Sequence, residues 1–134
     1  MCLIFLEKYF GKLKSKKSLK QQQYMYDREM LFTAIEMDNY KLATIIITAG
    51  TLPVTCINIS GATPLTAVCQ ETLCLNTKGK LKFVKLLLKR KTSLEMRDIY
   101  GKTAHDYIIE NGFADIQQLY EAHLKSACQR KDSK

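Results

Sequence analysis

Apolar positions recur at helical spacing along most of the chain, and turn-forming residues separate the periodic stretches. Met30, Leu31, Ala34 and Ile35 predict a helix N-capped by Asp27 and ended at Asp38 and Asn39. Leu42, Ile45, Ile46 and Ala49 give a second apolar stripe, with Gly50 placed to turn left-handed beyond the helix end. Thr51 to Ser60 is β-branched, turn-rich and interrupted by Pro53, so an extended or hairpin-like connection is expected there. Thr63 then caps a third helix that opens on Pro64, whose missing N–H loses no bond at the first helical position. The period breaks from Glu71 to Gly79 and resumes with Leu81, Val84, Leu87 and Leu88, an amphipathic helix ending near Lys91. Ser93 to Tyr100 repeats the extended connection. Thr103 to Asn111 reads as a fifth helix closed by Gly112. Ala114 to about Leu124 reads as a sixth, with Ile116 and Leu119 on its apolar face, and the residues from Ser126 are expected to fray.

These elements repeat. Gly61-Ala62-Thr63-Pro64-Leu65-Thr66-Ala67-Val68 recurs in degenerate form as Gly101-Lys102-Thr103-Ala104-His105-Asp106-Tyr107-Ile108. A unit that cannot bury its apolar face alone must stack on its neighbours, and stacking produces a binding surface more readily than a catalytic pocket. From about Asp27 to Leu124 the chain resembles the ankyrin repeat family, whose unit of about 33 residues is a turn plus two helices opening on Thr-Pro-Leu-His-x-Ala. Leu31 to Leu65 is a step of 34 and Thr63 to Thr103 one of 40, so the excess is assigned to an insertion at Thr72 to Lys78. The motif His is replaced by Phe32, Thr66 and Asp106, the Pro by Ala104 and the Leu by His105. The resemblance implies an all-α ankyrin-repeat solenoid of helix-turn-helix pairs with short extended or hairpin connections. Its units would be 27–57, 58–97 and 98–124, preceded by a basic segment 1–26 and followed by a basic tail 125–134. Because the motif His ties neighbouring turns together, its absence implies a marginally stable array.

In that family, partners lie against the turn tips and the exposed positions of the inner helices. The resemblance carries this to Asn58, Ile59 and Ser60, to Asp98, Ile99 and Tyr100 with Lys102 beside them, and to Glu36, Met37, Gln70, Glu71, Glu110 and Asn111. The expected activity is non-catalytic binding of another protein. Packing between adjacent turns is the other reading of Ile59, Ile99 and Tyr100.

Charge adds a second possibility. The 134 residues suffice for one domain, and 21 Lys and Arg face 13 acids. The excess clusters at Met1 to Lys20, Lys78 to Lys91 and Lys125 to Lys134. Lys78, Lys82, Lys85 and Lys89 form one stripe, widened by Lys80, Arg90 and Lys91. It is either an ordinary solvated face or a contact for an acidic partner or anionic membrane. Nucleic acid is disfavoured, because the stripe has no interleaved aromatic beyond Phe83, which the period places near the core. Cys2-Leu3-Ile4-Phe5-Leu6 with the following lysines is either a reversible membrane anchor or a helix covering the edge of the first repeat. Self-association through exposed ends is a further option.

The five cysteines form no Cys-x-x-Cys pair, so neither metal nor cofactor is expected, and a reducing compartment fits. The chain is expected in the cytoplasm, with a nuclear or membrane-peripheral location left open. No enzyme is expected: His105 and Asp106 are adjacent and point about 100° apart on a helix, and His105 and Cys69 read as core-packing residues.

Overall fold

Local capping chemistry sets most of the helix ends. In the computed structural model, which describes residues 18–132 and side chains through Cys128, the helices are α1 (Leu19–Glu36), α2 (Tyr40–Thr48), α3 (Pro64–Gln70), α4 (Thr77–Lys89), α5 (Ala104–Asn111) and α6 (Ala114–Asp132). The described residues are all-α. Thr63 caps α3 ahead of Pro64, and Thr103 and Asp106 form a reciprocal capping box on α5. Gly50 and Gly112 take the left-handed conformation just past α2 and α5, as the sequence predicts.

Four boundaries or faces differ from expectation. Asp27 does not cap α1, because its carboxylate accepts from Gln23 and Thr51, while Ser18 and Gln21 form the capping box further upstream. The break placed between residues 26 and 27 therefore falls inside α1. Residues 1–17 of the basic N-terminal segment lie outside the described residues. In α2 the buried face is Tyr40, Ala43, Ile46 and Ile47, whereas Ile45 and Ala49 face solvent. A run of three isoleucines leaves the phase ambiguous, and the Tyr40 ring against Phe83 (centroids 5.7 Å apart) decides it. Asn76 caps α4, so Thr77 to Gly79 is helical and the non-helical insertion shrinks to Glu71 to Asn76. The tail is not frayed from Ser126, since α6 continues to Asp132.

The helices pack in two layers. α1, α3 and α5 contact one another in series, α2, α4 and α6 do the same, and α1/α2, α3/α4 and α5/α6 pair across the layers. The centre holds Leu31, Ile35, Ile47, Leu65, Val68, Phe83, Val84, Leu87 and Ile108, all buried. Each such side chain contributes roughly 1.5–3 kcal/mol relative to remaining in water. The middle helix α3 is buried from Pro64 through Cys69 because it has a neighbour on either side.

Two turns with the same design precede α3 and α5. In the first, Asn58 Oδ1 accepts from the amides of Ser60 and Ala62, and the Asn58 amide donates to the Ala62 carbonyl. In the second, Asp98 Oδ1 accepts from Tyr100 and Lys102, and its amide donates to the Lys102 carbonyl. Gly61 and Gly101 close the two turns at φ 74° and 73°. The Ile99 amide donates to the Ser60 carbonyl at 2.9 Å and ties the tips together. A Cβ on Gly61 would also sit 3.5 Å from Asp98 Cα. Gly61→Ala is expected to cost about 1 kcal/mol through the positive φ, measured by urea unfolding against wild type.

Candidate functional site

The tips project three apolar side chains into solvent: Ile59 is 100% exposed, Ile99 67% and Tyr100 70%. They do not pack between adjacent turns, and the hydrogen bonds that fix the turns come from Asn58, Asp98 and the backbone. The tip residues are thus held in place without using their own side chains. Beside the first tip runs a groove of about 300 Å³, lined by Arg28, Glu29, Phe32, Thr33 and Glu36 of α1 and by Asn58, Ile59 and Ser60.

The remaining residues assigned by resemblance divide into surface and framework. Asp98 is only 7% exposed, and all its acceptor capacity is turned inward. Besides the two tip amides it accepts from the Tyr107 hydroxyl and, at 3.1 Å, from Gln70 Nε2. Burial opposes its ionisation, but the bonds from Tyr107, Lys102, Tyr100 and Gln70 prevail and hold its carboxyl below the usual range. Asp98 is therefore a fastening for the tip, and Gln70 serves it. Asn111 is likewise engaged, donating to the Cys69 carbonyl at 2.8 Å and linking α5 to α3. Lys102 and Glu110 form an ion pair at 2.9 Å. Burial and then the nearby Glu36 carboxylate push Glu71 above its ordinary value. With Asp38 close by, the C-terminal ends of α1 and α3 form an acidic edge.

The Lys stripe is retained in part. Lys78, Lys82, Lys85 and Lys89 are exposed, and none forms an ion pair among the described residues. Lys80 is not part of it. It is 4% exposed, with its ammonium donating to the Glu71 carbonyl at 2.6 Å and lying 3.9 Å from the Phe113 ring centroid. Helical spacing alone assigned it outward, but the Glu71 carbonyl and the Phe113 ring hold it inward. Sequence reasoning also missed Asp38, which takes φ 60° after α1. Its carboxylate accepts from the amides of Leu75 and Asn76 and from the Cys74 thiol, anchoring the insertion to the first helix pair. An Asp between two helices was the available signal, although its target lies far along the chain.

His105 is half-buried and stacks on Tyr120 at 5.0 Å, and Cys69 is wholly buried with its thiol pushed up to about 12 by desolvation. Such a thiol is a core side chain rather than a nucleophile. No cluster of metal-ligating side chains occurs among the described residues. Among them, too, no helix is long and apolar enough to cross a membrane. The chain matches no protein-family model. No curated protein matches it in sequence.

Proposed function

We propose that the chain is a short ankyrin-like stack that binds a partner protein through its two turn tips and the adjoining groove, without catalysis. The observation that carries this reading is the exposure of Ile59, Ile99 and Tyr100 on turns fastened from behind by Asn58 and the buried Asp98. Rigid exposed apolar anchors gain affinity because little conformational freedom is lost when they are covered. Arrangement in stacked pairs, with two tips of one design ahead of successive inner helices, supports the family reading. Glu29 and Glu36 line the groove beside the first tip, so the complementary partner presents an apolar patch flanked by basic residues.

A second reading rests on the exposed stripe of Lys78, Lys82, Lys85 and Lys89, unpaired among the described residues, which would contact an anionic membrane or acidic ligand. Affinity capture from lysate at low and high salt separates the two. The Ile99→Ala/Tyr100→Ala variant is expected to weaken capture at least ~tenfold while leaving the unfolding temperature unchanged, and capture by wild type should survive high salt. Capture that disappears in salt and ignores the tip variant would transfer the function to the lysines.

A further inference from the structure

The insertion between α3 and α4 presents two leucines to water. Leu73 is 90% exposed and Leu75 102%, while Cys74 between them turns inward and donates its thiol to Asp38. The same carboxylate accepts from the amides of Leu75 and Asn76 at 3.0 and 2.9 Å. The loop is thus fastened through its backbone and Cys74, and the leucine side chains project from it. Because Asp38 stands two residues before α2 and Asn76 caps α4, these bonds also bring the starts of the two outer helices together.

The outer face of those helices is basic. Lys78, Lys82, Lys85 and Lys89 are exposed opposite the buried side of α4, which holds Lys80, Phe83, Val84, Leu87 and Leu88. Helix α2 packs beside α4 and repeats the arrangement, with Lys41, Ile45 and Thr48 exposed opposite Tyr40, Ala43, Ile46 and Ile47. Neither helix contains an acidic residue. Lys41 and Lys78 are each the second residue of their helix, so both stand at the end from which the leucines project. The acids near this end belong to other elements: Glu36 and Glu71 close the inner helices, Asp38 is engaged by the loop, and Asp115 opens α6.

We infer that this end of the outer layer docks on an anionic phospholipid membrane, with Leu73 and Leu75 entering the acyl boundary and Lys41, Lys78 and Lys82 on the headgroups. Side chains that project from a loop enter a fluid boundary without a matching pocket, which an acidic protein would have to supply. Each lysine near such a surface contributes about fivefold in affinity. The inference deepens the lysine reading given above and rests on it, adding the two leucines that contact by charge alone does not need. The tips lie at the opposite end of α3 and use other residues.

The chain contains no tryptophan, so Leu75→Trp in the full-length protein introduces a single indole at a fully exposed position. Vesicles of mixed phosphatidylserine and phosphatidylcholine are expected to shift its emission to the blue and brominated acyl chains to quench it, whereas pure phosphatidylcholine leaves it unchanged. In sedimentation with the mixed vesicles, Lys78→Glu/Lys82→Glu and Leu73→Ala/Leu75→Ala are each expected to weaken binding at least ~tenfold. All four positions are exposed, so both variants are expected to keep the helical circular dichroism of wild type. Binding lost in the lysine variant but kept in the leucine variant, with the indole hydrated, overturns the inference and leaves a contact by charge alone. Binding that both variants keep places the membrane contact elsewhere in the chain and overturns it too. Failure of wild type to bind the mixed vesicles overturns the inference together with the membrane form of the lysine reading. A blue shift produced by soluble polyglutamate and not by vesicles assigns the face to an acidic polypeptide, and overturns the inference equally.

Discussion

Asp98→Ala is expected to destabilise the protein by about 3–4 kcal/mol, and to lower its unfolding temperature by about 12 °C, although its position is at a turn. The carboxylate accepts from the amides of Tyr100 and Lys102, the Tyr107 hydroxyl and Gln70 Nε2. Removing it leaves donors without an acceptor in a place shielded from water, and losing a hydrogen bond to a charged group costs more than losing a neutral one. Asp98→Asn is the informative control. Asn58 already performs the same two amide bonds at the first tip, so this variant keeps the turn and is expected to lose only about 1 kcal/mol.

Wild type and Asp98→Asn also differ in acid. The folded state holds the Asp98 carboxyl below its unfolded value, so the unfolded chain binds the extra proton. Its stabilisation is complete above the ordinary aspartate value of about 4 and disappears as pH falls through the lower folded value. Asp106, held down first by the Thr103 amide, titrates with the same sign. Denaturant melts of wild type and Asp98→Asn from neutral pH downward isolate the Asp98 part as a difference. A gap that stays constant on acidification would show that Asp98 is not the ionised fastening.

Lys80→Met is expected to stabilise the protein by about 2 kcal/mol at neutral pH. The ammonium is buried with a backbone carbonyl and an aromatic face, and no carboxylate among the described residues lies within ion-pair distance. Desolvation is therefore only partly offset, and methionine fills a similar volume without that cost. Burial holds the Lys80 amine below the lysine range, against the pull of Cys74, Cys69, Glu71 and Asp38. A lowered folded value means that the unfolded state binds more protons, so this penalty is relieved as pH rises toward the ordinary lysine value of about 10.4. Cys56 and Cys69, raised by burial to about 11 and about 12, work in the opposite direction above the ordinary thiol range. The comparison is consequently wild type against Lys80→Met by urea unfolding at pH 7 and pH 10. The advantage of the variant should shrink at the higher pH, and a variant less stable than wild type at pH 7 would show that the carbonyl and ring more than repay the burial.

Legibility in the sequence followed the range of the interactions. Thr63 with Pro64, Thr103 with Asp106, and Gly50 and Gly112 act within one helical turn of themselves, and each is found where it was expected. The exposed tip residues Ile59, Ile99 and Tyr100 were reached through the family resemblance that the repeat of Gly61 to Val68 at Gly101 to Ile108 suggests. Asp98 was assigned to the same surface because position in the repeat says which turn a residue occupies, but not which way its side chain is drawn. Its inward partners Gln70 and Tyr107 belong to two different inner helices. Asp27 failed as a cap for a similar reason, since any Asp before an apolar run satisfies the local rule while Thr51 competes for its carboxylate.

The sequence alone thus determined the six helices of the described residues, most of their ends and the repetition of one turn design, because capping groups, prolines, left-handed glycines and apolar spacing act on backbone a few residues away. Tertiary structure decided which face of the isoleucine-rich α2 is buried, that Lys80 turns inward while its neighbours on α4 stay in water, and that Asp38 and Asp98 fasten loops. Those outcomes depend on groups brought together from distant parts of the sequence, where burial and hydrogen-bond competition outweigh local preference.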